Sequence, residues 1–460
     1  MGAGKSTLGP TVAERLGRVF LDVDAELEQE LDKTIAEVFE EGGESEFREH
    51  EERQTLAALQ RPDPTVIALG GGAVETPAIR AALRERAFSV LLDVDVETAW
   101  RRSSASERPL ARSESDFRAL HERRRERYEG VADARAEDAD DVVLAAGGVH
   151  VRAGSLELLG ALTPGAGDVA LVSDPHVAGI HGADAQVALR DRLVSVHEVP
   201  QGEEAKTAAV AARLWSELRV DRGGSLVALG GGCTTDVSGF AAATYLRGID
   251  WVPVPTTLVG QVDAAIGGKT AIDLGSGKNL VGAFHWPARV VVDPRLLDTL
   301  PDRELHEGMA EVVKTGLLAG RPLWELPLPE LVRRSAAFKT ALCLRDPYDR
   351  GVRAFLNLGH TFAHALEAAA GYKGVTHGTA VGLGLVAALR LSGLSTEVVE
   401  AVLVPKPVRV DRERAWTALQ RDKKSRAGEL RLVLMNRDGP TVETLPEAEV
   451  RAALDLLIAD

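Results

Sequence analysis

At 460 residues the chain is too long for one ordinary hydrophobic core, and a prior of about 150 residues per domain suggests three. Its 69 acidic side chains outweigh 54 basic ones, for a net charge of -15. That balance argues against nucleic-acid binding and against anionic membrane surfaces, but it leaves room for local basic pockets that take small anions. Two cysteines, no long apolar run and no secretory leader pattern predict a soluble cytoplasmic protein without a disulfide framework.

The chain opens MGAGKSTLGP. Gly4-Lys5-Ser6-Thr7 is the second half of the phosphate-binding pattern G-x-x-x-x-G-K-[ST]. In that pattern backbone N–H groups cradle phosphates at a helix N-terminus, Lys5 reaches the β/γ-phosphates, and Ser6 ligates Mg²⁺. Apolar spacing predicts a helix over 6–16, a strand at 19–21 ending at Asp22 and Asp24, and a helix over 34–60. Strands follow at 66–69, ahead of Gly70-Gly71-Gly72, and at 89–92, with a helix after Pro77 between them. The Arg-rich segment 97–130 reads as partly helical, and 142–144 as a last short strand. The alternation is that of an α/β domain with a parallel sheet.

A junction is expected at 145–148, after which the alternation restarts. Strands are predicted at 169–172, 194–199 and 225–229, and helices at 183–192 and 205–219, before Gly230-Gly231-Gly232. From about 303 the pattern is mainly helical, with a polar strand pair at 430–435 and 442–445. The chain holds only 11 lysines, two of them in the glycine-flanked segments GGKT and GKN, where tight turns alone do not explain them. His360 and His364 stand four apart on one helical face, with His377 and Glu311 elsewhere. Three N/O ligands with an open position is a catalytic zinc pattern, although spacing alone fits core histidines equally well.

The ordered segments FLDVDAELE, FEEGGESEFREHE, LGGGAV, ERPL and RRRERY resemble shikimate kinase over roughly 1–144. The resemblance implies ATP with Mg²⁺ as cofactor, with Asp22 helping to hold the Mg²⁺ water shell. Asp24 would orient or deprotonate the attacking hydroxyl of shikimate, and Arg48 and Arg124 would clamp its carboxylate. Gly70, Gly71 and Gly72 would let backbone approach the ring, and Arg108 would stabilise charge on the transferring phosphoryl group. The strand that feeds the loop is missing from this sequence. Its loss would unpair two neighbouring strands, at about 1 to 3 kcal/mol per buried group, against a total stability of roughly 5 to 15 kcal/mol. The expectation is a gene start placed too late, with about ten or more residues upstream to complete the strand and loop.

The run GGGCTTDVSGFAAATYLRGIDWVPVPTTLVGQVDAAIGGKTAIDLGSGKNLVGAFHWP, followed by GMAEVVKTG, NLGHTFAHALE and THGTAV, resembles 3-dehydroquinate synthase over about 147–460. The resemblance implies a Rossmann-like NAD-binding domain over 147–302 and a mainly helical metal and substrate domain over 303–460. Glu311, His360 and His377 would bind Zn²⁺ or Co²⁺, and His364 would contact substrate. NAD would be held by Asp174, Glu203 and Lys206, by Gly230, Gly231 and Gly232, and by Asp236, Thr256, Thr257 and Lys278. A phosphorylated sugar acid, 3-deoxy-D-arabino-heptulosonate 7-phosphate, would meet Asp263, Lys269, Asn279, Lys314 and Lys339. Arg353 and Asn357 would complete that set, Arg247 would reach the phosphate from a partner subunit in a homodimer, and Lys423 or Lys424 would close over it. Departures include DPYDR in place of the usual acidic pair and Thr379 where glutamate is common.

The expected protein is therefore a fusion of two aromatic-biosynthesis enzymes, one forming 3-dehydroquinate and one phosphorylating shikimate. The alternatives are a synthase with an inactive front domain, or a front domain that senses ATP without transferring its phosphate.

Overall fold

The computed structural model describes residues 2–103, 113–275, 277–422 and 429–460. Arg108, Lys423 and Lys424 lie outside the described residues. The chain divides into two compact units, Met1–Gly147 and Gly148–Asp460.

In the first unit, α1 (Lys5–Leu16) is followed by β1 (Val19–Asp22), α2 (Val23–Leu31) and α3 (Ile35–Leu59). Then come β2 (Thr65–Ala68), α4 (Pro77–Arg86), β3 (Val90–Leu92), α5 (Val96–Ser103) and α6 (Glu114–Glu129), and finally β4 (Ala134–Ala136) and α7 (Ala139–Ala146). Thr34 starts α3 with a capping box: its hydroxyl accepts from the Glu37 N–H while the Glu37 carboxylate accepts from the Thr34 N–H. Gly43, at φ 73°, kinks α3 where a side chain would be strained. The strand expected at 142–144 is instead the middle of α7. Asp138 caps this helix through the N–H of Asp141, and Val143 and Leu144 are buried on its inner face. The short apolar run was equally compatible with either element, and the cap decides it.

The sheet of this unit is in two parts. β1 pairs β2 in parallel from Val19↔Thr65 to Asp22↔Ala68, and β3 pairs β4 in parallel from Val90↔Ala134 to Leu92↔Ala136. Among the described residues β2 and β3 have no second neighbour. A cleft of about 570 Å³ opens between them, lined by Leu8 and Val12 of α1, Val66 and Ile67 of β2, and Val90 and Leu91 of β3.

The second unit opens with β5 (Val149–Val151), α8 (Leu159–Leu162), β6 (Val169–Ser173), α9 (Pro175–Val177) and α10 (Ala183–Leu189). It continues through β7 (Leu193–Glu198), α11 (Ala208–Glu217), β8 (Ser225–Gly230), α12 (Gly232–Thr244) and β9 (Asp250–Pro255). β6 to β9 form a parallel sheet in the order β7-β6-β8-β9. The glycine-rich run 267–284 makes an antiparallel hairpin, β10 (Lys269–Leu274) and β11 (Gly277–Phe284), where turns alone had been the competing reading. β12 (Val290–Val292) pairs with β5.

The remainder is mostly helical: α13 (Asp302–Ala319), α14 (Leu328–Arg345), α15 (His360–Ala369), α16 (His377–Leu391), α17 (Glu397–Leu403) and α18 (Arg412–Asp422). β13 (Glu429–Asn436) and β14 (Gly439–Pro446) form the expected hairpin before α19 (Glu447–Asp455). Phe362, Leu366, Val381, Leu385 and Trp416 share one core there, which fixes α15 against α16 and so sets the histidines relative to one another. No helix among the described residues is long and apolar enough to cross a membrane.

Candidate active sites

In the first unit, Gly4 adopts φ 87° immediately before α1, and the N–H groups of Thr7 and Leu8 return to its carbonyl. The Ser6 hydroxyl donates to Asp22 Oδ2 over 2.6 Å, so the helix start and the end of β1 meet at one point. Asp22 also caps α2 by accepting from the Asp24 N–H. The expected group Gly4, Lys5, Ser6, Thr7 and Asp22 therefore lies together at the start of α1, as a phosphate and Mg²⁺ site requires.

The expected acid-binding group gathers at the turn after β2. A Cβ at Gly70 would fall 2.4 Å from Glu51 Oε1 and 2.7 Å from Asp24 Oδ1, and one at Gly72 would fall 2.0 Å from Arg48 Nη1. A side chain at either glycine would push these charged groups aside. Arg48 pairs with Glu51 and Glu44, and Arg124 donates to Glu75 over 3.1 Å. Tyr128 donates to the Gly71 carbonyl over 2.6 Å and pins the turn. Burial pushes the Glu51 carboxyl above its ordinary range despite Arg48. Glu51, Glu75 and Tyr128 were not anticipated. Glu51 stands three residues after Arg48 on one helical face, a signal that was present.

In the second unit, Asp174 follows β6 and accepts from the N–H groups of His176 and Val177, while Gly230 ends β8 and Gly231 caps the start of α12. The sheet order reverses between β6 and β8, where open α/β sheets hold their ligands. A Cβ on Gly230 would come within 2.8 Å of Thr234, and one on Gly231 within 3.1 Å of Thr257. The Thr256 N–H donates to the Gly230 carbonyl over 3.0 Å. Lys206 is held by Asp236 at 2.7 Å and by Asn279 Oδ1, and Lys278 by Glu203 at 2.7 Å. Asn279, expected at the substrate, thus also holds a lysine expected at NAD.

The helical part supplies an acid–histidine cluster. Glu311 Oε1 lies 3.3 Å from His360 Nε2 and 3.3 Å from His377 Nε2, and the three ligand atoms lie within 4.8 Å of one another. Glu311 is 1% exposed, and neither of its oxygens has a hydrogen bond of acceptable geometry. Burial opposes its ionisation, but Lys314 and His360 outweigh it and hold the carboxyl well below the carboxylate range. His360 Nδ1 faces the Leu358 carbonyl at 3.2 Å, which leaves Nε2 directed at Glu311. A buried, ionised carboxylate facing two imidazole nitrogens, with Lys314 on its other oxygen, fits a divalent cation.

His364 stands exposed beside this cluster, its ring centroid 5.6 Å from that of His360. Lys314 pairs with Glu311, and Lys339 pairs with Asp263 at 2.8 Å. Buried Arg353 donates to the carbonyls of Pro347 and Gly267. Lys269 pairs with Asp349, whose other oxygen is buried without a hydrogen bond. Asn357 closes the turn 352–357 just ahead of α15. Arg247 lies apart, exposed on a turn where it and Leu246 both take positive φ. Three further carboxylates were missed. Asp349 holds Lys269, Glu367 lies 3.6 Å from His377 Nδ1, and Glu307 accepts from Thr376 and from the Thr379 N–H. Glu307 thereby places a carboxylate beside Thr379 from a different helix.

Fold and sites define a two-enzyme chain: a phosphate-loop α/β unit ahead of an α/β and helical unit with a two-histidine, one-carboxylate cluster. The shikimate kinase family profile matches residues 1–151, and the N- and C-terminal profiles of 3-dehydroquinate synthase match 196–307 and 308–425. The bifunctional shikimate kinase/3-dehydroquinate synthase of Thermotoga maritima is 33% identical over 467 residues, covering 92% of this chain and 92% of that one. The 3-dehydroquinate synthase of Bordetella pertussis is 40% identical, over 67% of this chain and 95% of its own length. The chain belongs to the bifunctional shikimate kinase/3-dehydroquinate synthase family. The second unit also shares its fold with a solved 2-deoxy-scyllo-inosose synthase, at TM-score 0.61 and 24% identity, over 66% of this chain and 95% of that one.

Proposed function

We propose that the second unit converts 3-deoxy-D-arabino-heptulosonate 7-phosphate to 3-dehydroquinate and phosphate, and that the first unit phosphorylates shikimate from ATP. The cluster of Glu311, His360 and His377, set beside Lys314, Lys339 and Asp263, carries the synthase reading. NAD and a divalent cation, held at the Gly230 turn and at that cluster, would supply reversible hydride transfer and Lewis acidity at a substrate alcohol. Lys314 and Lys339, with Lys269 and Arg353 on the adjoining elements, hold the anionic groups of the substrate and fix its conformation. His364, exposed next to the metal ligands, is placed to move a proton on the bound sugar acid. Its partner-side contact would come from Arg247 of a second copy in a homodimer, in keeping with the exposed turn that carries it.

In the first unit Lys5 and the loop N–H groups hold the ATP phosphates, and Ser6 with Asp22 holds Mg²⁺. Asp24 orients the attacking hydroxyl, and Arg48 and Arg124 clamp the shikimate carboxylate against the glycine turn. Two free cysteines and no membrane-capable helix among the described residues support a cytoplasmic site of action.

The test assays phosphate release from the heptulosonate phosphate and ADP release dependent on shikimate, on the same chain. The first should stop with a chelator and return with Zn²⁺ or Co²⁺, and failure to respond would refute the metal assignment. The competing reading is a front unit that binds nucleotide without transferring phosphate. ATP binding with no ADP release would select it, and no ATP binding would leave a synthase alone.

A further inference from the structure

Glu75 ends the short turn Ala73–Glu75 that follows Gly70–Gly72, and its carboxylate lies among four arginines. The two oxygens face different pairs. Oε2 lies 3.1 Å from Arg124 Nη2 and 3.6 Å from Arg48 Nη2. Oε1 lies 3.4 Å from Arg123 Nη2 and 3.4 Å from Arg127 Nη1. The first pair is enclosed: Arg124 is 2% exposed and its Nε is buried without a hydrogen-bond partner. The second pair is open to solvent, with side chains 64% and 44% exposed. Burial opposes the charge on Glu75, but Arg124, Arg48 and Arg123 together hold its carboxyl below the ordinary range.

The backbone under this side chain is fixed. Arg80 donates from Nη1 to the carbonyls of Val74 at 2.7 Å and Glu75 at 2.8 Å, and Tyr128 holds the Gly71 carbonyl. These contacts tie down the backbone and leave the Glu75 side chain as the part that can turn. Rotation toward Arg123 and Arg127 would free Arg124 and release the longer contact to Arg48, which keeps Glu51 and Glu44, without stranding a charge, because the carboxylate already touches both pairs.

We propose that Glu75 sets the affinity of this site for its carboxylate substrate. In the free enzyme it is an internal occupant of the Arg48–Arg124 clamp. The incoming carboxylate takes those donors, and Glu75 retires to Arg123 and Arg127. This rests on the shikimate kinase reading of the unit. A ligand that must displace an internal occupant binds more weakly by the reciprocal of the fraction of time the clamp is free. For a partly exposed ion pair that factor is about two to five.

The experiment measures shikimate-dependent ADP release, with shikimate binding by calorimetry, on the full chain and its variants. E75Q should lower KM and Kd for shikimate about two- to fivefold, with kcat little changed. R123A/R127A, which removes the retreat position, should raise them by a similar factor. The neutral amide of shikimate should bind native protein and E75Q alike, because it does not compete as an anion. Synthase turnover reports that each variant is folded in its second unit, and the opposite signs of the two variants exclude a general loss of the first. A higher KM in E75Q would overturn the proposal, since it would mean that Glu75 merely props the clamp. So would an equal shift for the amide, or no shift at all in a native enzyme that turns over. Absence of shikimate binding in native protein and E75Q alike would overturn the kinase reading and this inference together.

Discussion

The two α/β units use the same kind of strand and reach different degrees of burial. In the second unit β8 lies between β6 and β9, and Leu226, Val227, Ala228 and Leu229 are all 0% exposed. In the first, β2 and β3 each have a single neighbour among the described residues, and Val66, Ile67, Val90, Leu91 and Leu92 are only half-buried along a cleft of about 570 Å³. All these residues are apolar strand formers. What differs is whether a strand occupies the second edge. A parallel strand is stabilised by ladders on both sides and by cover on both faces, so an apolar sequence marks a strand without guaranteeing it a core.

The sharpest separation of the two units is chemical. E311Q should lower heptulosonate phosphate turnover by at least about 100-fold, the scale at which even outer partners of a metal ligand matter. It should leave shikimate-dependent ADP release unchanged, and a parallel fall in both would break the picture of independent units. Next in size is packing. Leu226→Ala in β8 should cost about 2 to 5 kcal/mol in denaturant unfolding of the second unit. Leu91→Ala, facing the cleft, should cost the first unit less than about 1.5 kcal/mol, and equal costs would show that the cleft is closed in solution. Amide exchange reads the same contrast more finely. N–H groups of β2 and β3 should exchange at least about tenfold faster than those of β6 and β8, through openings smaller than global unfolding.

The smallest effect is a pH dependence of the second unit. Burial depresses the basicity of His150, His181 and His197, so each stays neutral in the folded state at a pH where the unfolded chain takes up a proton. Their contribution is complete above the unfolded histidine value, about 6.5, and is lost as pH falls below it. Asp236, whose carboxyl burial pushes up to about 6, acts in the opposite sense over the same window, so the histidine contribution is read as a difference between variant and native. H150Q should lose less melting temperature than native protein between pH 7 and pH 5, and an equal or larger loss would reverse the sign of the argument.

Much of the functional geometry was legible because it depends on local pattern. Gly4-Lys5-Ser6-Thr7 requires a turn and a helix start, and both are there, with Ser6 meeting Asp22. His360 and His364 share a helical face by spacing alone. The element read otherwise, at 142–144, and the hairpin left unassigned at 269–284 both lie where local pattern is ambiguous. The run at 142–144 suits strand or helix, and only Asp138 and the packing behind it make a helix. The β10–β11 hairpin is rich in glycine and lysine and carries little strand propensity, so it is held by pairing rather than by composition.

The sequence by itself determined the order of elements, the phosphate loop, the glycine turns and the residue types able to hold a metal ion, since each follows from spacing along one segment. Tertiary structure alone decided the partners. It set Glu75 between two pairs of arginines, Glu367 behind His377, Asp349 on Lys269 and Glu307 beside Thr379. The reason is physical: a charge is satisfied, and a strand edge paired, by groups distant in the chain, and no local pattern encodes which of many carboxylates or edges will arrive.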